Sequence, residues 1–179
     1  MKRLLLLLLV SASSVFGASL FPQSVTALDR DFEKLGEYRY VYRMFFKLYE
    51  AALFTSDGGS AEDVLNAETS FHLQFRYLRK IDKGIILKSA GRILEKNLNP
   101  EELAQIAERV DLINEAYTTV TKGDTSSLTY EPGKGTTLMI NGEPVITIKG
   151  QDFAELYFRI WLGEQAISEN LKENLLGQS

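Results

Sequence analysis

The sequence predicts an α+β fold: a large, antiparallel-leaning sheet with helices packed on one face. Three observations carry that expectation. Asn141-Gly142 separates two β-prone runs, Thr136–Ile140 and Glu143–Ile148, and is a strong signal for a two-residue type I′ hairpin, whose strands are antiparallel. Asp152–Leu162 then sets Phe153, Leu156, Tyr157, Ile160 and Trp161 on one helical face, with Glu155 and Arg159 pairing on the other. The order of elements is strand, strand, helix, helix, three strands, helix, helix.

The first 17 residues read as a secretory signal peptide, so the chain is expected in a periplasm. Lys2-Arg3 is the basic start, Leu4–Val10 the apolar run, and Val15-Phe16-Gly17 a small-residue cleavage site. That run is far short of the roughly 20 residues that span a bilayer, so no transmembrane anchor is expected. The chain has no cysteine, which excludes disulfides, thiolate metal sites and cysteine lipidation. Without Lys2 and Arg3, 18 basic residues face 24 acidic ones, a net charge of −6 with no basic block. Nucleic acid and anionic lipid surfaces are therefore poor partners on sequence grounds.

Residues 18–34 are polar and read as an extended lead-in, and 35–179 as a single domain. Tyr38–Phe54 is dense in β-formers and reads as one long or kinked strand, or as two strands around a tight bend. Ala61–Asn66 is a short turn or helix, and Ser70–Arg79 a strand with Phe71, Leu73, Phe75 and Tyr77 inward. Asp82 can cap a helix carrying Ile86, Ala90, Ile93 and Leu94. Asn99-Pro-Glu-Glu102 starts the next, with an N-cap Asn, Pro at the first turn and a capping-box Glu. In the later hairpin the turn pairs Ile140 with Glu143, Leu138 with Val145 and Thr136 with Thr147. Pro144 faces Met139 and marks an edge or a short neighbour. A last helix begins near Ser168 and carries Leu171, Leu175 and Leu176.

Catalytic signatures are absent, and no catalytic residue, metal or cofactor is assigned. His72 is the only histidine, so no histidine metal cluster forms, and no Gly-x-Ser-x-Gly elbow supplies a nucleophile for it. On a strand face with Gln74 and Arg76 it reads as a solvated or satisfied residue, though it is also the one imidazole that could ligate a haem iron. Arg39, Arg43, Lys47 and Tyr49 fall at even separations, so a regular strand would put them on one face. They are edge guards on a solvated face, or Arg39 with Tyr49 clamps a carboxylate or enolate. Arginine suits a clamp because its planar fork binds carboxylates bidentately and keeps its charge.

Arg39 followed by Phe45-Phe-Lys-Leu-Tyr-Glu-Ala-Ala-Leu-Phe54 resembles the first block of the chalcone isomerase-like family. Lys122-Gly-Asp, Tyr130-Glu-Pro-Gly-Lys-Gly-Thr, Asn141-Gly, Gly150-x-Asp-Phe and Ile160-Trp-Leu-Gly-Glu resemble its exported bacterial branch. The resemblance runs from about Leu35 to Leu176 and implies an open-faced β-sandwich with a ligand cleft between sheet and helices. Within that family, plant isomerases close a flavanone ring, and plastid relatives bind fatty acids without catalysis. Arg39 matches the family arginine that contacts the substrate or the fatty-acid carboxylate, and Tyr49 is more like the fatty-acid-binding branch. The isomerases' tyrosine and asparagine fall near Ile85 and Arg92, and a later hydroxyl at Ala154, which removes the groups that would position a ketone and a water. The resemblance thus implies a protein that binds a small amphiphilic carboxylate such as a fatty acid, with Arg39, Tyr49 and Tyr77 as ligand-binding residues. The rivals are an isomerase or lyase of an enone, and a structural or interaction protein whose cleft its own side chains close.

Overall fold

The computed structural model describes residues 19–178, so the leader expected at 1–17 lies outside the described residues. Among these residues seven strands form one sheet in chain order: β1 (Ser24–Ala27), β2 (Arg30–Tyr42), β3 (Phe46–Thr55), β4 (Phe71–Tyr77), β5 (Thr125–Glu131), β6 (Gly135–Ile140) and β7 (Glu143–Ile148). Every neighbouring pair is antiparallel. The helices are α1 (Ala61–Leu65), α2 (Lys83–Asn97), α3 (Pro100–Ala116), α4 (Gln151–Tyr157), α5 (Arg159–Leu162) and α6 (Glu169–Leu175).

Strand alternation decides the layers. Tyr49, Ala51 and Leu53 of β3 and Phe71, Leu73, Phe75 and Tyr77 of β4 point into one core with Ile106, Ile113, Phe153, Tyr157 and Trp161 from the helices. The intervening Ala52 and Phe54 point the other way and meet Phe21, Ala27 and Phe32 in a smaller core. The polar segment after residue 18 is therefore more than a lead-in. Leu28 and Asp29 make a left-handed turn between β1 and β2, and this hairpin folds its few apolar side chains onto the sheet's second face.

Tyr38–Phe54 resolves as two strands around the tip Arg43–Phe45, with Tyr42 opposite Phe46. The Asn141-Gly142 turn has positive φ at both residues, as a type I′ turn requires, and Ile140 pairs with Glu143 and Met139 with Pro144. Beyond that the register slips by one residue, so Leu138 meets Ile146 and Thr136 meets Ile148, rather than Val145 and Thr147. The bulge leaves Val145 exposed and buries Ile148, and β7 is the edge strand that Pro144 tolerates.

The Asn99 capping box forms as the sequence implies, its side chain accepting from the Glu101 and Glu102 backbone. The Asp152–Leu162 helix breaks at Phe158. Its apolar stripe is buried, but so are Ala154, Phe158 and Leu162, more than one side of a straight helix can hide. The break turns Phe158 against Phe71 at a ring distance of 4.6 Å. It also separates Glu155 from Arg159: Gln151 bonds Glu155 at 2.9 Å, while Arg159 reaches Glu102 at 3.2 Å.

Candidate functional site

Tyr49 and Tyr77 are cross-strand partners on the helix-covered face. The Tyr49 ring lies 5.1 Å from Tyr40, 5.4 Å from Phe75 and 6.3 Å from Tyr77. Tyr77 satisfies its hydroxyl with Ser126 Oγ at 2.9 Å. The Tyr49 hydroxyl is buried and has no hydrogen-bond partner, a condition that costs about 1–3 kcal/mol for a polar group. Burial, with the neighbouring phenols of Tyr40 and Tyr77, pushes it well above the usual tyrosine range, so it is a neutral donor and no general base. Tyr117 and Tyr157 extend this buried phenol group, and burial raises both above the usual tyrosine range.

Arg39 does not join them. The bend at Arg43–Phe45 and a register shift at Tyr40/Val41 break the even-number spacing that suggested a shared face. Arg39 is opposite Glu50, one residue along from Tyr49, and so on the other side of the sheet. Its Nη2 lies 2.6 Å from Glu50 Oε1, and Arg76 closes on the other carboxylate oxygen. Burial pushes the Glu50 carboxyl up, but the hydrogen bonds and charges of Arg76 and Arg39 prevail and hold it below its usual range. Arg43 and Lys47 sit exposed at the hairpin tip. Of the three expected ligand residues, the fold brings Tyr49 and Tyr77 together and sets Arg39 apart.

His72 is satisfied and buried, its Nδ1 2.7 Å from Thr129 Oγ1 and its ring between Phe32 and Phe54. Burial lowers its pKa to about 4. It borders a groove of about 380 Å³ on the second face of the sheet, with Val25, Thr26, Gln74 and Ser127. A larger cleft of about 470 Å³ lies among the helices, lined by Val64, Asn97, Phe158, Arg159 and Leu162. Neither cleft borders Tyr49, whose surroundings are filled by aromatic side chains. Over the shared core, α2 buries Leu94 alone and leaves Ile86, Leu87 and Ala90 half-buried. Ile85 and Arg92 are exposed on that helix, and Ala154 is buried on α4, so none offers the core a polar group.

An antiparallel sheet with helices on one side and phenols between them defines a helix-covered half-barrel. The chain belongs to the chalcone isomerase-like family, whose model matches residues 21–177. Among solved structures it is similar to a fatty-acid-binding protein of Arabidopsis thaliana, with a TM-score of 0.63 and 16% identity over 88% of this chain and 91% of that one. That likeness is one of fold. No curated protein matches the sequence.

Proposed function

We propose that this protein is an exported, periplasmic and non-catalytic binder of a small amphiphilic carboxylate such as a fatty acid. The observation that carries the reading is the orphaned Tyr49 hydroxyl, a strong donor enclosed by aromatic and aliphatic surface. The fatty-acid binding named for the structurally similar plant protein supports the same ligand class. Binding requires the side chains packed around Tyr49 to part: its hydroxyl then donates to the head group, with the Tyr77–Ser126 pair beside it, and the tail replaces them against the apolar core at about 0.8 kcal/mol per buried methylene. The ligand enters where the half-buried residues of α2 and Tyr38 and Tyr40 of β2 border that core. A neutral phenol above its usual pKa and a buried, neutral His72 on the other face supply no acid–base pair, which supports binding without turnover.

The test is displacement of a fluorescent fatty acid by palmitate, in wild type and Tyr49→Phe. Loss of one hydroxyl donor should weaken binding about fivefold to tenfold. Equal affinity in the two proteins, or no displaceable probe in the wild type, would sink the reading. Turnover of a chalcone or small enone, followed by absorbance, would replace it with the lyase alternative.

A further inference from the structure

The β2–β3 hairpin ends in an apolar tip that the core does not use. Met44 is 86% exposed and Phe45 82%, with Tyr42 and Phe46 also exposed on either side. Half of the large exposed hydrophobic side chains among the described residues (4 of 8) fall in this one turn, which makes it a patch rather than scatter. Arg43 and Met44 both adopt left-handed backbone, with φ of 48° and 63°, where glycine or asparagine is favoured. The chain accepts that strain at the point where it holds Met44 and Phe45 out into solvent.

Cations ring the tip. The Arg43 guanidinium lies 5.3 Å from the Tyr42 ring centroid, and that of Arg79 lies 5.2 Å from Phe46. Lys47 is exposed beside them, and Lys80 follows Arg79. The sequence separates these charges into two short pairs, and the Leu78 backbone bonding to Leu48 brings the pairs together. The neighbouring acidic groups are occupied, Glu50 by Arg39 and Arg76, and Asp82 by Lys80 at 3.1 Å. The result is a greasy point in a cationic collar, on a chain whose overall charge is negative.

We infer that this tip docks the protein on an anionic lipid bilayer. Met44 and Phe45 enter the acyl boundary, Tyr42 and Phe46 sit at headgroup depth, and Arg43, Lys47 and Arg79 face lipid phosphates. This surface goes beyond the fatty-acid reading and does not depend on it.

The full mature chain is tested by flotation with vesicles of phosphatidylglycerol and phosphatidylcholine, and with phosphatidylcholine alone. Binding should favour the anionic vesicles and weaken with salt. The M44S/F45S double variant should bind about tenfold or more weakly, and K47A about fivefold more weakly, both at unchanged Tm because these side chains are exposed. Leu112→Ser, an equally simple loss of an exposed apolar residue on α3, should bind as wild type. In a Phe45→Trp variant, brominated lipids should quench the new fluorescence. The proposal falls if wild type floats with neither vesicle, if M44S/F45S binds as wild type, or if Leu112→Ser loses as much. It falls equally if the tip proves to join two copies of this chain, seen as a dimer in sedimentation that M44S/F45S abolishes while vesicles stay unbound.

Discussion

Arg39 Nη2 sits 2.6 Å from Glu50 Oε1, on the sheet face away from the helices. Glu50 is almost wholly covered, and Arg76 holds its second oxygen while also donating to the Leu20 carbonyl at 2.8 Å. One carboxylate therefore keeps two half-exposed guanidiniums together and ties the N-terminal segment to β3 and β4. Glu50→Gln should cost about 2 kcal/mol, less than a fully buried pair because both arginines reach water. Arg39→Ala, which leaves Arg76 in place, should cost about 1 kcal/mol and leave fatty-acid affinity unchanged. Urea denaturation and probe displacement check both, and a large loss of affinity in Arg39→Ala would restore the arginine clamp.

That arginine marks the limit of what periodicity reveals. Local signals were legible: the Asn99 capping box, the Asn141-Gly142 turn, and the alternation of β4 that sends Phe75 and Tyr77 to the core. The fold class followed from them, and the family from the resemblance of Arg39 with Phe45–Phe54 and the later motifs. Parity across Arg43–Phe45 was not legible, because the turn contains no glycine, proline or asparagine to announce it. Nor was the second core, where Phe21, Ala27 and Phe32 are too sparse to form a pattern. The slip at Val145 and the break at Phe158 came from tertiary burial, which overrode local regularity. In the site, Tyr49 and Tyr77 were recognisable as inward phenols, but the unsatisfied hydroxyl depends on packing alone.

His72 gives the fold a pH dependence of known sign. Its ordinary pKa of 6.5 is lowered to about 4 by burial, so between those values the unfolded chain binds a proton that the folded chain refuses. Its contribution is complete above pH 6.5 and is lost as pH falls toward 4, by on the order of 3 kcal/mol. His72→Gln removes the titrating group and keeps a polar partner for Thr129. Denaturant unfolding at pH 7 and pH 4.5 should show a smaller acid loss in His72→Gln than in wild type. Parallel pH profiles would show that another group governs the acid limb.

The placement of Tyr49 also fixes how ligand binding should respond to pH. A carboxylate buried against a neutral phenol, with Arg39 across the sheet, loses hydration without gaining a counter-charge, which favours the protonated acid. Affinity for a fatty acid should therefore rise as pH falls through the ligand's own carboxyl range, while a guanidinium clamp would weaken there. Fatty-alcohol competition adds a second readout: the alcohol should compete within about tenfold of the acid, since both accept one hydrogen bond from Tyr49. Competition by the acid only, fading on acidification, would overturn the phenol-centred site.

Gly36 shows how closely the last helix must approach the sheet. It lies beside a register shift in β2, and a Cβ there would run into the backbone carbonyl oxygens of Asn174 and Leu175 at the end of α6. Those atoms belong to the backbone and cannot rotate aside, so the helix itself would have to move. Leu171 and Leu175 are fully buried on the same helix, and lifting it would expose them. Gly36→Ala should therefore cost about 3 kcal/mol or more, the upper part of the range for overpacking, because relief requires undocking. Hydrogen exchange should locate the loss in α6, with faster exchange at Leu171–Leu176 and little change in β4 and β5. A Tm within a degree or so of wild type would mean that the helix has room to shift, and that its contact with β2 is looser than the carbonyl geometry implies.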